Sequence, residues 1–503
     1  MGKRKLEEEV NAQPSKKLAS LSLSGVTSPT IQIITGSYER VLHGVTAWLP
    51  SSEKDEATFV DSFLYQPHMS RITSLGLSTA SDSGKRTLAT GSADERINLY
   101  QISSIAPKYQ ADNSNGIAAI ASSKGGKSQA SGNRELGSLM HHGAQITQLW
   151  FAGKTKLLSA ADDNKIAITR LRDMATLSTI KAPLPKFQNR PSGDTAAAND
   201  LPKGINSFAV HPSMKLMVSV GKGERCMRLW NLTTGKKAGV LNFDRSVLSD
   251  IGEGRLSKGE GVSVEWDPEG EEFVVAFERG ALVFGMDARP KAKIITKEKV
   301  KIHRIRYLQK RVQNENIIAI GTEDGRVLFF STTTVPLDEK DNVSAEENEA
   351  NKPEADFPAC RLVAQLGGPM EAVVGRIKDF EVLQTSDEES GTDEVYLVAG
   401  SSDGSIRIWS FDLHDLAMPS VNGDEKPNGS AKKLAGVSTN SSTQGGKDNA
   451  TVKQIGTLRG AFSTENRITC LTAFLMDPPR QGQIVEDEIG PEANEEESSD
   501  DSD

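Results

Sequence analysis

The chain has 503 residues, with 59 Lys and Arg against 68 Asp and Glu, and a formal net charge of −9. Its three cysteines are Cys226, Cys360 and Cys470. They are far apart and lack CxxC or CxxxH spacing, so neither a disulfide framework nor a zinc site is indicated. We find no N-terminal secretion signal and no apolar run near 20 residues, and therefore expect a reducing compartment and no membrane span.

The acidic charge is concentrated at one end of the chain. Residues 486–503 contain ten acids and no base, so the remainder is close to +1. We interpret residues 477–503 as a disordered acidic tail. Its Ser498 and Ser499 follow three glutamates, a context suited to phosphorylation, although a purely solubilising end is an equally good interpretation.

Residues 1–28 contain two basic clusters and little apolar surface. The clusters are Lys3, Arg4 and Lys5, followed by Lys16 and Lys17. Their roughly bipartite spacing fits a nuclear localisation signal, whereas their composition also fits a solvated disordered arm.

Residues 31–34 and 45–48 then predict two strands that have no strand before them. Residues 467–471 near the other end read Arg-Ile-Thr-Cys-Leu and resemble residues 71–75, which begin the next unit. We therefore predict that the two ends form one sheet, whose strand hydrogen bonds close the fold and remove open edges.

A repeated unit fills the chain between these ends, most clearly at residues 400–409. An acidic turn residue is followed after six positions by a large apolar residue in every copy except the one with Thr169. The third and fifth positions after the acid are apolar throughout. The six acids are Asp94, Asp163, Glu224, Glu278, Asp324 and Asp403.

This residue pattern is typical of WD repeats, which recur about every 40–45 residues. Each repeat supplies the four strands of a propeller blade. Six internal units and one shared unit predict an all-β, seven-bladed WD40 β-propeller over residues 29–476. The turn acids, including Asp94, Asp163, Asp324 and Asp403, are interpreted as structural acceptors. His68 and His142 are expected to bond the turn acids, and His141 to point to the opposite face from His142.

Four segments interrupt the repeats and lack strand or helix periodicity. We expect disordered surface loops at about 101–133, 183–203, 335–357 and 411–450. The nearest approach to a phosphate-binding loop, residues 125–128, lies inside the first of them and lacks the initial glycine of that motif. No other nucleophile, metal or cofactor motif is present, so we expect no cofactor, no small-molecule substrate and no enzyme.

Several stretches carry a more specific resemblance. They are residues 36–39, 91–100, 142–147, 157–160, 210–221 and 228–232. The chain resembles the eukaryotic WD-repeat family that includes the maintenance-of-killer large-subunit assembly factor and the animal PAK-interacting protein. The resemblance implies a nuclear and nucleolar factor for 60S subunit assembly and rRNA maturation, with pre-60S assembly factors and ribosomal proteins as partners and contact with rRNA.

Three functions therefore stand as hypotheses. The first is a non-catalytic scaffold in pre-60S particles, and the second is a signalling adaptor that binds and inhibits a p21-activated-type protein kinase. The third is a propeller enzyme, which requires polar residues around a central channel that no sequence motif reveals.

Overall fold

The computed structural model describes residues 29–50, 55–107, 133–185, 203–254, 257–296, 299–335, 357–371, 373, 375–385, 393–417 and 452–478. Within these ranges the chain is built from strands, with one short helix, α1 (Arg245–Asp250), and 3-10 turns at Pro369–Glu371 and Leu413–Leu416. The all-β prediction is confirmed.

The strands follow one another in short antiparallel meanders. In chain order they are β1 Thr30–Ser37, β2 Leu42–Trp48, β3 Thr58–Tyr65, β4 Ile72–Leu77, β5 Lys85–Ser92, β6 Ile97–Ser103, β7 Arg134–Leu139, β8 Ile146–Ala152, β9 Lys156–Ala161, β10 Lys165–Arg170, β11 Ala175–Lys181, β12 Ile205–Val210, β13 Leu216–Gly221, β14 Cys226–Asn231, β15 Lys236–Asn242, β16 Ser263–Trp266, β17 Glu272–Ala276, β18 Gly280–Gly285, β19 Pro290–Ile295, β20 Ile302–Tyr307, β21 Ile317–Thr322, β22 Arg326–Val335, β23 Ala359–Gly367, β24 Ile377–Gln384, β25 Glu394–Ser401, β26 Ser405–Asp412, β27 Lys453–Gln454, β28 Thr457–Ser463 and β29 Ile468–Leu475.

Five of the sheets have four strands each and one has nine. The four-stranded sheets are β4 to β7, β8 to β11, β12 to β15, β24-β25-β26-β28 and β29-β1-β2-β3. The nine-stranded sheet joins two further meanders, β16 to β19 and β20 to β23, through one parallel bridge between Lys293 and Ala359, and β27 pairs with β23.

The two ends of the described chain meet in one sheet. β1 pairs antiparallel with β29 from Ile31 opposite Leu475 to Ser37 opposite Ile468, with a register shift after Gly36. A Cβ at Gly36 would lie 2.6 Å from Ile72 Cγ2, so glycine permits the close approach to β4. This is the pairing of the two ends that the sequence predicts.

Apolar clusters lie between neighbouring meanders. One cluster, for example, combines Phe329 of β22 with Leu397, Trp409 and Phe411 of the next meander. The third and fifth positions after the six acids are buried, except for Ile168 and Leu229, which are half-buried. The alternation in each third strand therefore directs two side chains per repeat into the space between sheets.

Two of the predicted inserts begin later than the sequence indicates. β6 continues to Ser103, and Ile105 forms a bridge with Asp477. β26 continues through Phe411, which pairs with Val395 and is buried. Strand pairing and burial of apolar residues thus extend β6 and β26 into segments whose overall composition is polar. Residues 1–28, the central parts of all four inserts and residues 479–503 lie outside the described residues.

Candidate functional site

Asp94 lies in the turn between β5 and β6 and is held by the loop that precedes β4. Its carboxylate accepts hydrogen bonds from the backbone N of Met69 at 2.9 Å and of Arg96 at 3.1 Å. Nδ1 of His68 lies 3.2 Å from the same carboxylate, and Nε2 lies 2.8 Å from the Thr90 hydroxyl. Burial alone would raise the pKa of Asp94, but these donors outweigh it and lower that pKa.

Asp163 repeats this arrangement one meander later. Nδ1 of His142 lies 3.2 Å from the carboxylate, Nε2 lies 2.8 Å from the Ser159 hydroxyl, and Lys165 Nζ is 3.2 Å away. Burial opposes ionisation of Asp163, yet the hydrogen bonds from His142 and Gly143 hold its pKa well below the usual range.

His141 departs from its predicted orientation. Its Nε2 lies 3.0 Å from the same Ser159 hydroxyl, and its ring centroid is 4.5 Å from that of His142. The prediction that the two rings face opposite sides is wrong, because β8 begins only at Ile146 and strand alternation does not apply before it. Burial, aided by His142, lowers the pKa of His141 to about 4.

The Ser159, His142 and Asp163 side chains have the connectivity of a hydrolytic triad. Ser159 is 0% exposed, however, so its hydroxyl cannot meet a substrate in this conformation. The geometry favours a structural hydrogen-bond network that ties a turn to the preceding loop.

The remaining turn acids have no histidine partner among the described residues. Asp324 accepts from the Thr322 hydroxyl and pairs with Arg326, whereas Asp403 accepts from Ser405 N at 2.9 Å. Glu224 pairs with Arg228, and Glu278 lies 2.9 Å from Lys301 Nζ. Each acid is therefore engaged by groups near its own turn, and the described residues contain no cluster of three or more His, Cys, Asp or Glu that could hold a metal.

The edge strands β4, β8, β12, β16, β20, β24 and β29 contact one another in sequence, and we call them the inner strands. Side chains join each to the next. The contacts are Thr469 Oγ1 to Ile72 O at 2.6 Å, Thr73 Oγ1 to Ile146 O at 2.6 Å, Phe208 N to Gln148 Oε1 at 2.8 Å, Val264 N to Ser207 Oγ at 3.2 Å, Arg306 to Glu265 at 3.4 Å, Arg306 to Glu381 at 3.2 Å, and Leu471 N to Asp379 Oδ2 at 3.1 Å. This series returns to the strand from which it began.

Part of this series is a charged network that sequence reasoning missed. Arg306 lies between Glu265 and Glu381, and Arg304 Nε lies 3.1 Å from Asp379. Burial raises the pKa of Glu265, and Arg306 moderates that increase. The signal in the sequence is the presence of Arg304 and Arg306 among the apolar residues of β20. Because each of these charges has an opposite partner, losing one of them would leave an uncompensated charge between the inner strands.

None of the three cysteines is a candidate nucleophile. All are buried, and burial raises the thiol pKa of Cys226 to about 11 and those of Cys360 and Cys470 to about 12. Thiolate, the reactive form, is therefore scarce at neutral pH.

Comparison with known proteins connects this architecture with two named groups. The model of the WD domain, G-beta repeat, matches residues 390–410, which contain β25, Asp403 and the start of β26. Protein MAK11 of Saccharomyces cerevisiae is 26% identical over 405 residues, covering 76% of this chain and 78% of MAK11. This chain is similar to MAK11 and to the PAK-interacting proteins. The predicted resemblance is confirmed.

The PAK-interacting relatives cover similar lengths. The p21-activated protein kinase-interacting protein 1-like protein of Gallus gallus is 23% identical over 387 residues, which is 77% of this chain and 74% of the relative. The human p21-activated protein kinase-interacting protein 1 is 24% identical over 395 residues, which is 78% of this chain and 73% of the relative. The likeness to MAK11 and to this group therefore extends far beyond one repeat.

The sequence also proposes sites outside the described residues. These are the basic residues Lys3, Arg4, Lys5, Lys16 and Lys17, and the acidic-tail serines Ser498 and Ser499. In the part of the chain that the structure describes, no helix is long and apolar enough to cross a membrane.

Proposed function

We propose that the chain is a non-catalytic WD-repeat scaffold for nucleolar assembly of the 60S ribosomal subunit and maturation of its rRNA. The observation that carries this proposal is the similarity to MAK11 over 76% of the chain, taken with the assembly role that the family resemblance implies. Pre-60S assembly factors and ribosomal proteins are the partners, with contact to rRNA.

The scaffold is a seven-bladed β-propeller spanning residues 29–476. Two features support this count: the seven antiparallel meanders of the described residues, and the series of contacts that joins their inner strands. The blade made from β29, β1, β2 and β3 closes the ring with strands from both ends. Seven similar edges arranged in this way present two broad faces suited to protein and RNA contacts.

The described polar groups support binding in preference to catalysis. The turn acids are engaged by nearby donors, the charges of Arg304 and Arg306 are paired, and Ser159 is inaccessible. A general acid or base needs a free position within hydrogen-bond reach of a substrate. These groups already form hydrogen bonds or ion pairs that join strands and turns, so they have no free position for a substrate.

In this proposal the N-terminal segment directs nuclear import and the C-terminal tail carries negative charge. Lys3, Arg4, Lys5, Lys16 and Lys17 act as the nuclear localisation signal, and phosphorylation of Ser498 and Ser499 deepens the negative charge of the tail.

The second candidate is a signalling adaptor that binds and inhibits a p21-activated-type kinase. The relatives from chicken and human, whose names state an interaction with p21-activated protein kinase, favour it. A propeller face can serve either partner, so the fold does not choose between the two.

Sedimentation of tagged full-chain protein from a nuclear extract tests the proposal. We expect the protein in pre-60S fractions and enrichment of large-subunit rRNA precursors after purification. Exclusive sedimentation with a p21-activated-type kinase, and reduced activity of that kinase on addition of the pure protein, would instead establish the adaptor.

A further inference from the structure

One end of the inner strands carries an uneven distribution of charge. β20, β24, β29 and β4 begin with buried isoleucines, Ile302, Ile377, Ile468 and Ile72. The residues immediately before and after these isoleucines are Lys301, His303, Arg376, Lys378, Arg467, Thr469, Arg71 and Thr73. Five of these eight positions are therefore cationic and none is acidic. We call Arg71, Lys301, Arg376, Lys378 and Arg467 the mouth cluster.

The rest of the same end differs. β8, β12 and the segment before β16 supply Gln145, Thr147, Gly204, Asn206, Glu260 and Val262 at the corresponding positions. Because the contacts between inner strands run from β20 through β24 and β29 to β4, the five cations lie at the starts of consecutive strands. The charge thus forms one positive sector and not an even collar.

Only part of this positive charge is neutralised by the protein. Lys301 pairs with Glu278 at 2.9 Å, and Arg376 pairs with Glu323 at 3.0 Å. Arg71 donates to the neutral amide of Gln145 at 2.7 Å.

The side chains of Lys378 and Arg467 make no ion pair with any described residue, although the backbone N of Arg467 donates to Glu39 at 2.9 Å. Burial, and then the neighbouring Arg376, Arg467 and Lys301, lower the pKa of Lys378. Mutual repulsion of this kind is relieved when an anion binds.

Two uncharged groups add hydrogen-bonding and stacking capacity. Nε2 of His303 is buried and has no hydrogen-bond partner among the described residues. The Tyr38 side chain is 52% exposed and lies between two guanidinium groups, 6.0 Å from that of Arg71 and 5.7 Å from that of Arg467. Proteins that bind single-stranded nucleic acids combine cations that contact the phosphate backbone with exposed aromatic rings on which bases stack.

We propose that the mouth cluster binds the phosphate backbone of single-stranded RNA and that Tyr38 stacks on one of its bases. The choice of RNA as the polyanion rests on the proposed function in ribosome assembly. The cations are spread over the starts of four strands, which fits several successive phosphates better than one small anion. The Tyr38 ring supplies a stacking contact that carboxylates would not use.

Binding of a fluorescent single-stranded RNA oligonucleotide to the full-chain protein, measured by anisotropy over a range of salt concentrations, tests the site. The variant Arg71→Gln/Lys378→Gln/Arg467→Gln removes three charges without stranding a carboxylate. We expect its affinity to fall at least about tenfold, and the slope of log affinity against log salt to fall by about 2, at ~0.7 per phosphate contact.

A matched control removes three exposed charges from the opposite ends of the meanders, Lys154→Gln/Arg172→Gln/Lys215→Gln. We expect it to change affinity by less than about twofold. Tyr38→Leu should lower affinity about fivefold without changing the salt slope, because it removes stacking and no charge. If the triple mouth variant does not fold, Arg467→Gln, at an exposed position, tests the salt slope alone.

Equal affinities of the mouth and control variants would overturn the proposal. So would a mouth variant that keeps its RNA affinity but no longer binds a peptide of residues 486–503, which offers ten carboxylates and no phosphate. Sedimentation of the same variants separates this site from the proposed function. RNA binding by a protein that never enters pre-60S particles contradicts only the function, and pre-60S association with no effect of the mouth variant on RNA affinity contradicts only the site.

Discussion

The turn acids differ in how far the protein covers their carboxylates. The Asp163 side chain is 10% exposed and faces a His142 side chain that is 1% exposed. The Asp403 side chain is 44% exposed and its near partners, Ser405 and Arg407, belong to its own hairpin. Equivalent positions in the repeat therefore contribute unequally, because water can replace the lost acceptor only where the site is open.

We predict that Asp163→Ala lowers the free energy of unfolding by about 2–3 kcal/mol, since buried donors lose their acceptor. Asp403→Ala should cost about 1 kcal/mol, because solvent reaches its donors. Guanidinium denaturation of the full-chain protein measures both. Asp82→Ala, at a side chain 102% exposed, is the matched control, expected within about 0.5 kcal/mol of wild type. Equal losses at Asp163 and Asp403 would contradict the ranking.

His141 predicts a pH dependence. The folded-state pKa of His141 is lowered to about 4, below its ordinary value of 6.5. Between pH 4 and pH 6.5, His141 is therefore protonated in the unfolded chain and neutral in the folded chain. Stability contributed by neutral His141 is therefore present above pH 6.5 and is lost as pH falls towards 4. We expect His141→Gln to reduce the fall in unfolding free energy between pH 6.5 and 4. An unchanged pH profile in denaturant titrations would contradict it.

Only some of these residue-scale features could be predicted from the sequence. The contacts of His68 and His142 with the turn acids follow from their fixed offset before a first strand. The Arg306 network does not, because its partners Glu265 and Glu381 are 41 and 75 residues away, in two other meanders. The predicted orientation of His141 is wrong because β8 begins at Ile146, five residues after His141, so strand alternation does not apply to it.

At the scale of elements, the acid and its two following apolar positions located the third strand of each of the six internal repeats. Strand ends were less predictable, because Ser103 and Phe411 are ordered by pairing with β5 and β25 and not by local composition. β1 shows how strongly pairing can act. All eight of its residues are buried, and it lies between β2 and β29.

We therefore predict that deleting residues 1–48 removes β1 and β2 and leaves β29 and β3 with unpaired edges. Exposed edges promote aggregation. Deletion of residues 1–28 alone leaves every described strand in place and is the control. Size-exclusion chromatography and thermal melting compare the two proteins. A soluble, cooperatively melting 49–503 fragment that matches the control would show that closure by the two ends is dispensable.

At the scale of the whole molecule, charge is separated along the chain. The five cations of the mouth cluster come from four meanders, so they are neighbours only in the folded molecule. The net charge of −9 conceals it, since the last 18 residues alone contribute −10. A body near neutrality can therefore present a positive sector although the whole chain is acidic.

The last prediction concerns how much of the function the propeller carries without its ends. We expect residues 29–478, fused to an independent import signal, to enter pre-60S particles, because the proposed recognition surfaces lie on the blades.

Removing residues 486–503 alone should strengthen non-specific RNA binding at low salt, because the acidic residues repel RNA phosphates. The removal should have little effect once the Debye length falls below roughly 10 Å, since this repulsion is then screened. Replacing Lys3, Arg4, Lys5, Lys16 and Lys17 with Ala should disturb nuclear import and leave the melting temperature unchanged. Gradient sedimentation, filter binding and microscopy report these three results separately. Failure of the imported propeller to enter pre-60S particles, with its fold intact, would place recognition in the ends and not in the blades.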